Sequence, residues 1–202
     1  MKMSMSMSAR IASVDSADST MSLQAIKTKI FYFLDGTSIT VPETACRGCY
    51  MEQFERELSP LISPVYEDES IVIRQDAEWP IPGFFIVSSK EHVASIADIE
   101  MELAGKIGHA LHFVRLGLRK LFNIERAHIY HEEKIIAPHM HFWILPLWPD
   151  IMQREHIAPK IYEANVKDYL HAFTFTEYKD SIRDANYAMR QFLDIHLATS
   201  NK

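Results

Sequence analysis

The sequence predicts an α+β fold, a five-stranded antiparallel sheet with one long packed helix, and three observations lead there. From Ile96 to Leu121 the apolar residues Ile96, Ile99, Leu103, Ile107, Leu111, Val114, Leu118 and Leu121 recur every three or four positions, the period of an amphipathic helix. Ahead of it, Ile71-Val72-Ile73-Arg74 and Phe84-Phe85-Ile86-Val87 flank the break Trp79-Pro80-Ile81-Pro82-Gly83, which reads as two antiparallel strands around a turn. Behind it, Ala127-His128-Ile129-Tyr130 and the run from Pro138 to Leu145 read as two more strands joined by the polar turn Glu132-Glu133-Lys134. Pro146-Leu147-Trp148-Pro149 ends the sheet, because proline cannot continue a ladder. Strands, then a helix, then strands is the order of an α+β domain.

The ends of the chain read differently. Residues 1–23 are rich in Ser and Met, lack periodicity and are expected to be a disordered leader, with no apolar stretch long enough for a signal peptide. Ile30-Phe31-Tyr32-Phe33-Leu34 before the turn at Asp35-Gly36 is a short strand or a cover for a sheet edge. Tyr178, Ile182, Met189, Phe192 and Leu193 mark a second helical stretch. The predicted organisation is a leader over 1–23, one domain over 24–149 and a helical extension over 150–202, covering a cleft or a dimer surface.

With 202 residues, 48% hydrophobic and 24% charged, the chain has the composition of a soluble globular protein. A net charge of -6 argues against a general nucleic-acid binder, which carries a basic face, yet is compatible with a small anionic ligand held by a few oriented donors. No run of roughly 18 apolar residues is present, so no membrane span is expected and the cytoplasm is the expected compartment.

Chemistry concentrates at two places. In Pro138-His139-Met140-His141-Phe142-Trp143-Ile144, strand alternation puts His139, His141 and Trp143 on one face and Met140, Phe142 and Ile144 on the other. The second set is apolar and belongs against a helix. The first sets two imidazoles about 7 Å apart, and such a face is costly to bury without partners; surface exposure is the plainer alternative. The other place is Cys46-x-x-Cys49, the only two cysteines, a spacing that reads as half of a metal site or as a redox pair. A tetrahedral zinc site takes thiolates and imidazoles together, so two further ligands are needed, with His139 one candidate. His109, His112, His128, His131, His156, His171 and His196 form no partner pattern and read as structural.

In their order these segments resemble the histidine-triad (HIT) superfamily, including its galactose-1-phosphate uridylyltransferase branch. Glu67 to Arg74, Asp76, the Pro-rich turn, the strand ending Ser88-Ser89-Lys90-Glu91-His92, the helix and then His139-Met140-His141-Phe142-Trp143-Ile144-Leu145-Pro146 follow the family's sequence of motifs over roughly Ala45 to Trp148. The resemblance implies that His141 is the nucleophile, attacking the α-phosphorus of a nucleotide to give a covalent nucleotidyl-histidine. It implies that Asp76 holds the ribose hydroxyls, where the residues alone read as a turn-capping aspartate. It also implies one structural zinc on Cys46, Cys49, His92 and His139, which would hold the strand face rigid beside His141.

The chain departs from the family pattern at the third triad position, which is Trp143. An indole has one N–H donor and no titratable group, so Trp143 can donate to a phosphate oxygen but cannot shuttle a proton. Ser89 stands where the family has proline before Lys90-x-His92, and Lys134-Ile135-Ile136-Ala137 replaces a polar loop; Lys134 supplies phosphate charge or is a solvated turn residue. The resemblance implies a hydrolase or nucleotidyltransferase acting on a nucleoside phosphate or dinucleoside polyphosphate, and a homodimer. The alternatives are a non-catalytic nucleotide-binding module with a structural zinc, and a zinc-stapled scaffold for a protein partner.

Overall fold

The structure is a computed structural model that describes residues 27–54, 59–133, 135, 138–154 and 166–197. The expected leader, Lys134 and residues 136–137 lie outside the described residues.

Two strands, β1 (Thr28–Tyr32) and β2 (Ser38–Pro42), form a separate hairpin around the Asp35-Gly36 turn, resolving the alternatives for this segment in favour of a strand. A short helix, α1 (Arg47–Gln53), follows. The main sheet is built from β3 (Pro64–Glu67), β4 (Ile71–Gln75), β5 (Phe85–Ser89), β6 (Ala127–His131) and β7 (His141–Pro146), in the order β3-β4-β5-β7-β6 and antiparallel throughout. The α+β expectation therefore holds, with the five strands it called for.

Helix α2 (Met101–Phe122) lies on one face of β4, β5 and β7. It is preceded by a single 3-10 turn at Ile96–Asp98, so the apolar stripe starts earlier than the helix. It ends at Asn123, whose left-handed backbone (φ 54°) forms an αL cap, its N–H donating to the Arg119 carbonyl while Ile124 N–H donates to the Leu118 carbonyl. Ile107, Val114 and Leu118 meet Ile71, Ile73, Phe85, Val87 and Ile144 in the core. These strand residues sit at alternate positions, and the intervening residues face the opposite side of the sheet.

The chain closes with α3 (Pro149–Met152), α4 (Lys167–Leu170) and α5 (Phe175–Leu197). Helix α5 packs on α2 and β3 and places Met189, Leu193 and Leu197 in the same core. The two helices approach closely at Gly117, where a Cβ would lie 2.7 Å from Met189 Sδ. The described part of the C-terminal segment thus seals the helix side of the sheet. Among the described residues, none of it lines the pocket on the opposite face.

The final strand begins later than alternation predicts. The ladder starts at His141, and Pro138–Met140 approach it outside strand geometry, with Met140 N–H donating to the Val93 carbonyl. His139 is thereby released from the pleat while its side chain keeps to the same side as His141.

Candidate functional site

The sheet register lays out the floor of a pocket. Across β4, β5 and β7, Val72, Ser88 and His141 share one row, and Arg74, Ile86 and Trp143 the next. Ser88, His141, Arg74, Ile86 and Trp143 line the pocket. Helix α1 forms the facing wall with Arg47, Gly48, Met51 and Glu52, and Asp76, Ala77 and Glu78 complete the rim beyond β4. The structure brings His139, His141, Trp143 and Asp76 to this one cavity.

Cys46 caps α1, its sulfur accepting from Cys49 N–H at 3.5 Å. The helix start therefore holds both sulfurs toward the loop after β5 and the entry to β7. Cys46 Sγ lies 3.3 Å from His139 Nδ1, Cys49 Sγ lies 3.6 Å from the same nitrogen, and Cys49 Sγ lies 3.1 Å from His92 Nδ1. One donor atom from each of Cys46, Cys49, His92 and His139 falls within 4.8 Å of the others. A tetrahedron with bonds of about 2.3 Å to sulfur and 2.0–2.1 Å to imidazole has donor–donor edges of about 3.3–3.8 Å. The four residues fit a metal ion of that kind.

Supporting contacts favour the same arrangement. His139 Nε2–H donates to the Ser89 carbonyl at 2.8 Å, which leaves the lone pair on Nδ1, the nitrogen beside both sulfurs. Ser89 Oγ donates to the Glu91 carbonyl and shapes the turn that carries His92. Gly48 is required between the cysteines, because a Cβ there would lie 2.6 Å from His139 Cγ and Nδ1. Burial raises the Cys46 thiol, but hydrogen bonds with His139 and from Cys49 N–H outweigh it and bring the pKa down to about 6. Burial and the neighbouring Cys46 sulfur push Cys49 up to about 11. A second thiolate is thus opposed by the first, a conflict that a divalent cation relieves.

His141 stands beside this cluster. Its Nδ1–H donates to the His139 carbonyl at 2.5 Å, so the lone pair of the neutral ring is on Nε2. Its ring sits edge-to-face on Trp143, with centroids 4.1 Å apart. From the neighbouring edge strand, His131 Nδ1–H donates to the His141 carbonyl at 3.0 Å while its ring stacks on Phe142. His131 therefore supports the strand, in keeping with the structural role expected of it.

Asp76 is only 4% exposed, and its Oδ1 accepts from the N–H groups of Glu78 (2.9 Å) and Trp79 (2.7 Å). This is the turn cap that its position before the Pro-rich break implies. Its other carboxylate oxygen makes no hydrogen bond among the described residues, so one oxygen caps the turn and the second remains for the pocket. Burial is the main cause that raises its pKa to about 6, with the Trp79 and Glu78 amides pulling the other way.

Sequence patterns did not single out Arg47, Glu52 or Arg74. Arg74 pairs with Glu52, and Arg47 pairs with Glu78 at 2.8 Å while lying over the Phe31 and Phe33 rings. A charged residue alternating with Val72 in an otherwise apolar strand was the available signal for Arg74, and a position one helical turn after Cys49 was the signal for Glu52.

The fold, a five-stranded antiparallel sheet with a long helix on one face and a pocket holding His139, His141 and Trp143 on the other, has a likeness among solved structures. Solved structures with which the chain shares this likeness include a hypothetical histidine triad nucleotide-binding protein from Sulfolobus tokodaii (18% identity, TM-score 0.49, covering 74% of this chain and 92% of that one). A Zn-bound histidine triad family protein from Mycobacterium smegmatis aligns at 17% identity and TM-score 0.49, covering 74% of this chain and 96% of that one. A Hit-like protein involved in cell-cycle regulation from Bartonella henselae aligns at 15% identity and TM-score 0.46, covering 71% and 95% respectively. At these identities the likeness is one of fold alone. No protein-family model matches the chain, and no curated protein matches its sequence. Among the described residues, no helix is long and apolar enough to cross a membrane.

Proposed function

We propose that this chain is a nucleotide hydrolase or nucleotidyltransferase in which His141 attacks the α-phosphorus of a nucleoside phosphate or dinucleoside polyphosphate. One arrangement carries the proposal: the Nδ1–H of His141 is committed to the His139 carbonyl, which fixes the nucleophilic lone pair on Nε2 of a ring lining the pocket. Nε2 forms a bond to phosphorus, and the bond from phosphorus to the leaving oxygen breaks with its electron pair. Water or a second hydroxyl then displaces the histidine, losing its proton as the N–P bond breaks. The Asp76 oxygen left over by the turn cap accepts from the ribose hydroxyls. Trp143 donates to a phosphate oxygen but has no proton to give a leaving group. Leaving groups stable as anions, such as a phosphate or pyrophosphate, therefore suit this site best.

Cys46, Cys49, His92 and His139 would hold zinc in a closed, four-ligand structural site. Zinc would supply rigidity rather than reaction chemistry: with His139 pinned between the metal side and the Ser89 carbonyl, the backbone oxygen that orients His141 is pinned as well. The protein is expected to work as a soluble homodimer.

Incubation with diadenosine tetraphosphate, a nucleoside phosphoramidate and a sugar nucleotide tests the proposal. Wild type should release nucleoside monophosphate or transfer it to an added acceptor, and His141→Ala with unchanged metal content should not. Tight nucleotide binding with no turnover in either protein would instead support a non-catalytic binding module, for which the Trp143 ring against His141 is the structural motive.

A further inference from the structure

We infer that the Glu52–Arg74 ion pair reads the edge of the nucleobase and that the base it prefers is guanine; the inference rests on the nucleotide reading of the His141 pocket. Arg74 lies one row along the sheet from His141 and two strands away. With about 4.8 Å between strands and about 6.8 Å for two residues, the two Cα atoms are about 12 Å apart. Both side chains line the same pocket. Met51 from the helix wall and Ile86, which sits between Arg74 and Trp143 in the sheet register, add apolar surface to the same pocket, suited to a planar ring.

The far end of the pocket is not apolar. Arg74 is 3% exposed and pairs with Glu52, whose side chain is 23% exposed. A buried ion pair gains little over apolar residues of similar volume, so packing alone gives no reason for charges at this place. Ligand recognition does. A carboxylate accepts at about four lone-pair sites, enough to keep Arg74 and still take two further donors. Among the described residues, its second oxygen makes no hydrogen bond. Guanine alone among the common bases presents two adjacent donors, N1–H and the N2 amine, with the acceptor O6 beside them. That row of donor, donor and acceptor matches a carboxylate next to a guanidinium. Adenine, cytosine and uracil each offer the carboxylate a single donor.

The discriminating experiment is calorimetric titration of the full-length, zinc-loaded protein with the monophosphates of guanosine, inosine, adenosine, cytidine and uridine. Inosine differs from guanosine only by the N2 amine. A guanosine monophosphate affinity about tenfold or more above both inosine and adenosine monophosphate is expected, the scale of one hydrogen bond to a charged group. In Glu52→Gln, checked for zinc content and melting temperature, the guanosine-to-inosine ratio should collapse toward one. The wild-type series is decisive even if that variant misfolds. Equal affinity for guanosine and inosine monophosphate, or a preference for any other base, overturns the guanine inference and leaves the nucleotide reading standing. Absence of binding by all five overturns the nucleotide reading itself, and this inference with it.

Discussion

Replacing Gly48 by alanine tests how closely the two cysteines and the histidine strand depend on each other. The added Cβ would sit 2.6 Å from His139 Cγ and Nδ1 and 2.9 Å from Cε1, against a ring rather than a flexible chain end. To regain an ordinary contact of about 3.5–4 Å, the ring or the helix must retreat by about 1 Å. The ring is held on its far side by the Ser89 carbonyl at 2.8 Å, so it has little room to move without losing that bond. Metal–ligand distances tolerate only about 0.2 Å, several times less than the required shift. Zinc affinity should therefore fall by at least about 10- to 100-fold, the usual cost of disturbing a ligand's support. Overpacking should further cost about 1–3 kcal/mol of stability. Competition with a chromophoric chelator measures the first and thermal unfolding of the metal-loaded protein the second. Wild-type zinc affinity together with an unchanged melting temperature in Gly48→Ala would refute the close packing of His139 on the Cys-x-x-Cys turn.

Other perturbations address separate parts of the structure. Gly117→Ala puts a Cβ 2.7 Å from Met189 Sδ, the flexible end of a side chain, while gaining about 1 kcal/mol of helix propensity, so its net effect should stay within about 1 kcal/mol; in a Met189→Ala background the same change should be clearly more stabilising, and additive effects in denaturant melts would contradict the close α2–α5 contact. Asp76 titrates near 6 when folded, above its ordinary 3.8, so the folded state holds the extra proton between these values. Its contribution favours folding below about pH 4 and is lost as pH rises through about 6, by about 3 kcal/mol. Nucleotide affinity should show the opposite trend, strengthening through pH 6 as the carboxylate ionises, and Asp76→Asn should remove that step from a binding-versus-pH curve. Trp143→His should speed turnover of substrates with poor leaving groups more than of polyphosphates; equal effects on both would argue against proton supply as the missing function.

Much of the fold can be read from periodicity alone. Apolar spacing finds α2 because it buries one stripe against the sheet, and β4 and β5 stand out as short apolar runs on either side of a Pro/Gly break, β4 being buried on both faces. The start of β7 is harder, since alternation reports which side a residue faces but not where ladder hydrogen bonds begin. His139 therefore reads as a strand residue although it precedes the strand. The C-terminal helix is visible as a helix, but nothing in its own pattern says that it closes the main core.

The site divides in the same way. Cys46 and Cys49 lie far along the chain from His92 and His139, and only a resemblance in the order of motifs nominates the four together; the start of α1 then meets the loop after β5 and the approach to β7 and gathers them. Glu52 and Arg74 belong to no motif. They meet because a helix wall faces a sheet row, a relation that no local pattern records.

The proposed chemistry bonds His141 Nε2 covalently to the α-phosphorus of a nucleotide. Rapid quenching at high pH, where an N–P bond survives, followed by peptide mass analysis tests it directly. A mass gain of one nucleotidyl group (a nucleoside monophosphate less one water) on the peptide bearing His141, labile to acid and absent from His141→Ala, is the predicted result. Unmodified His141 throughout productive turnover, or an adduct that persists in the variant, would contradict it.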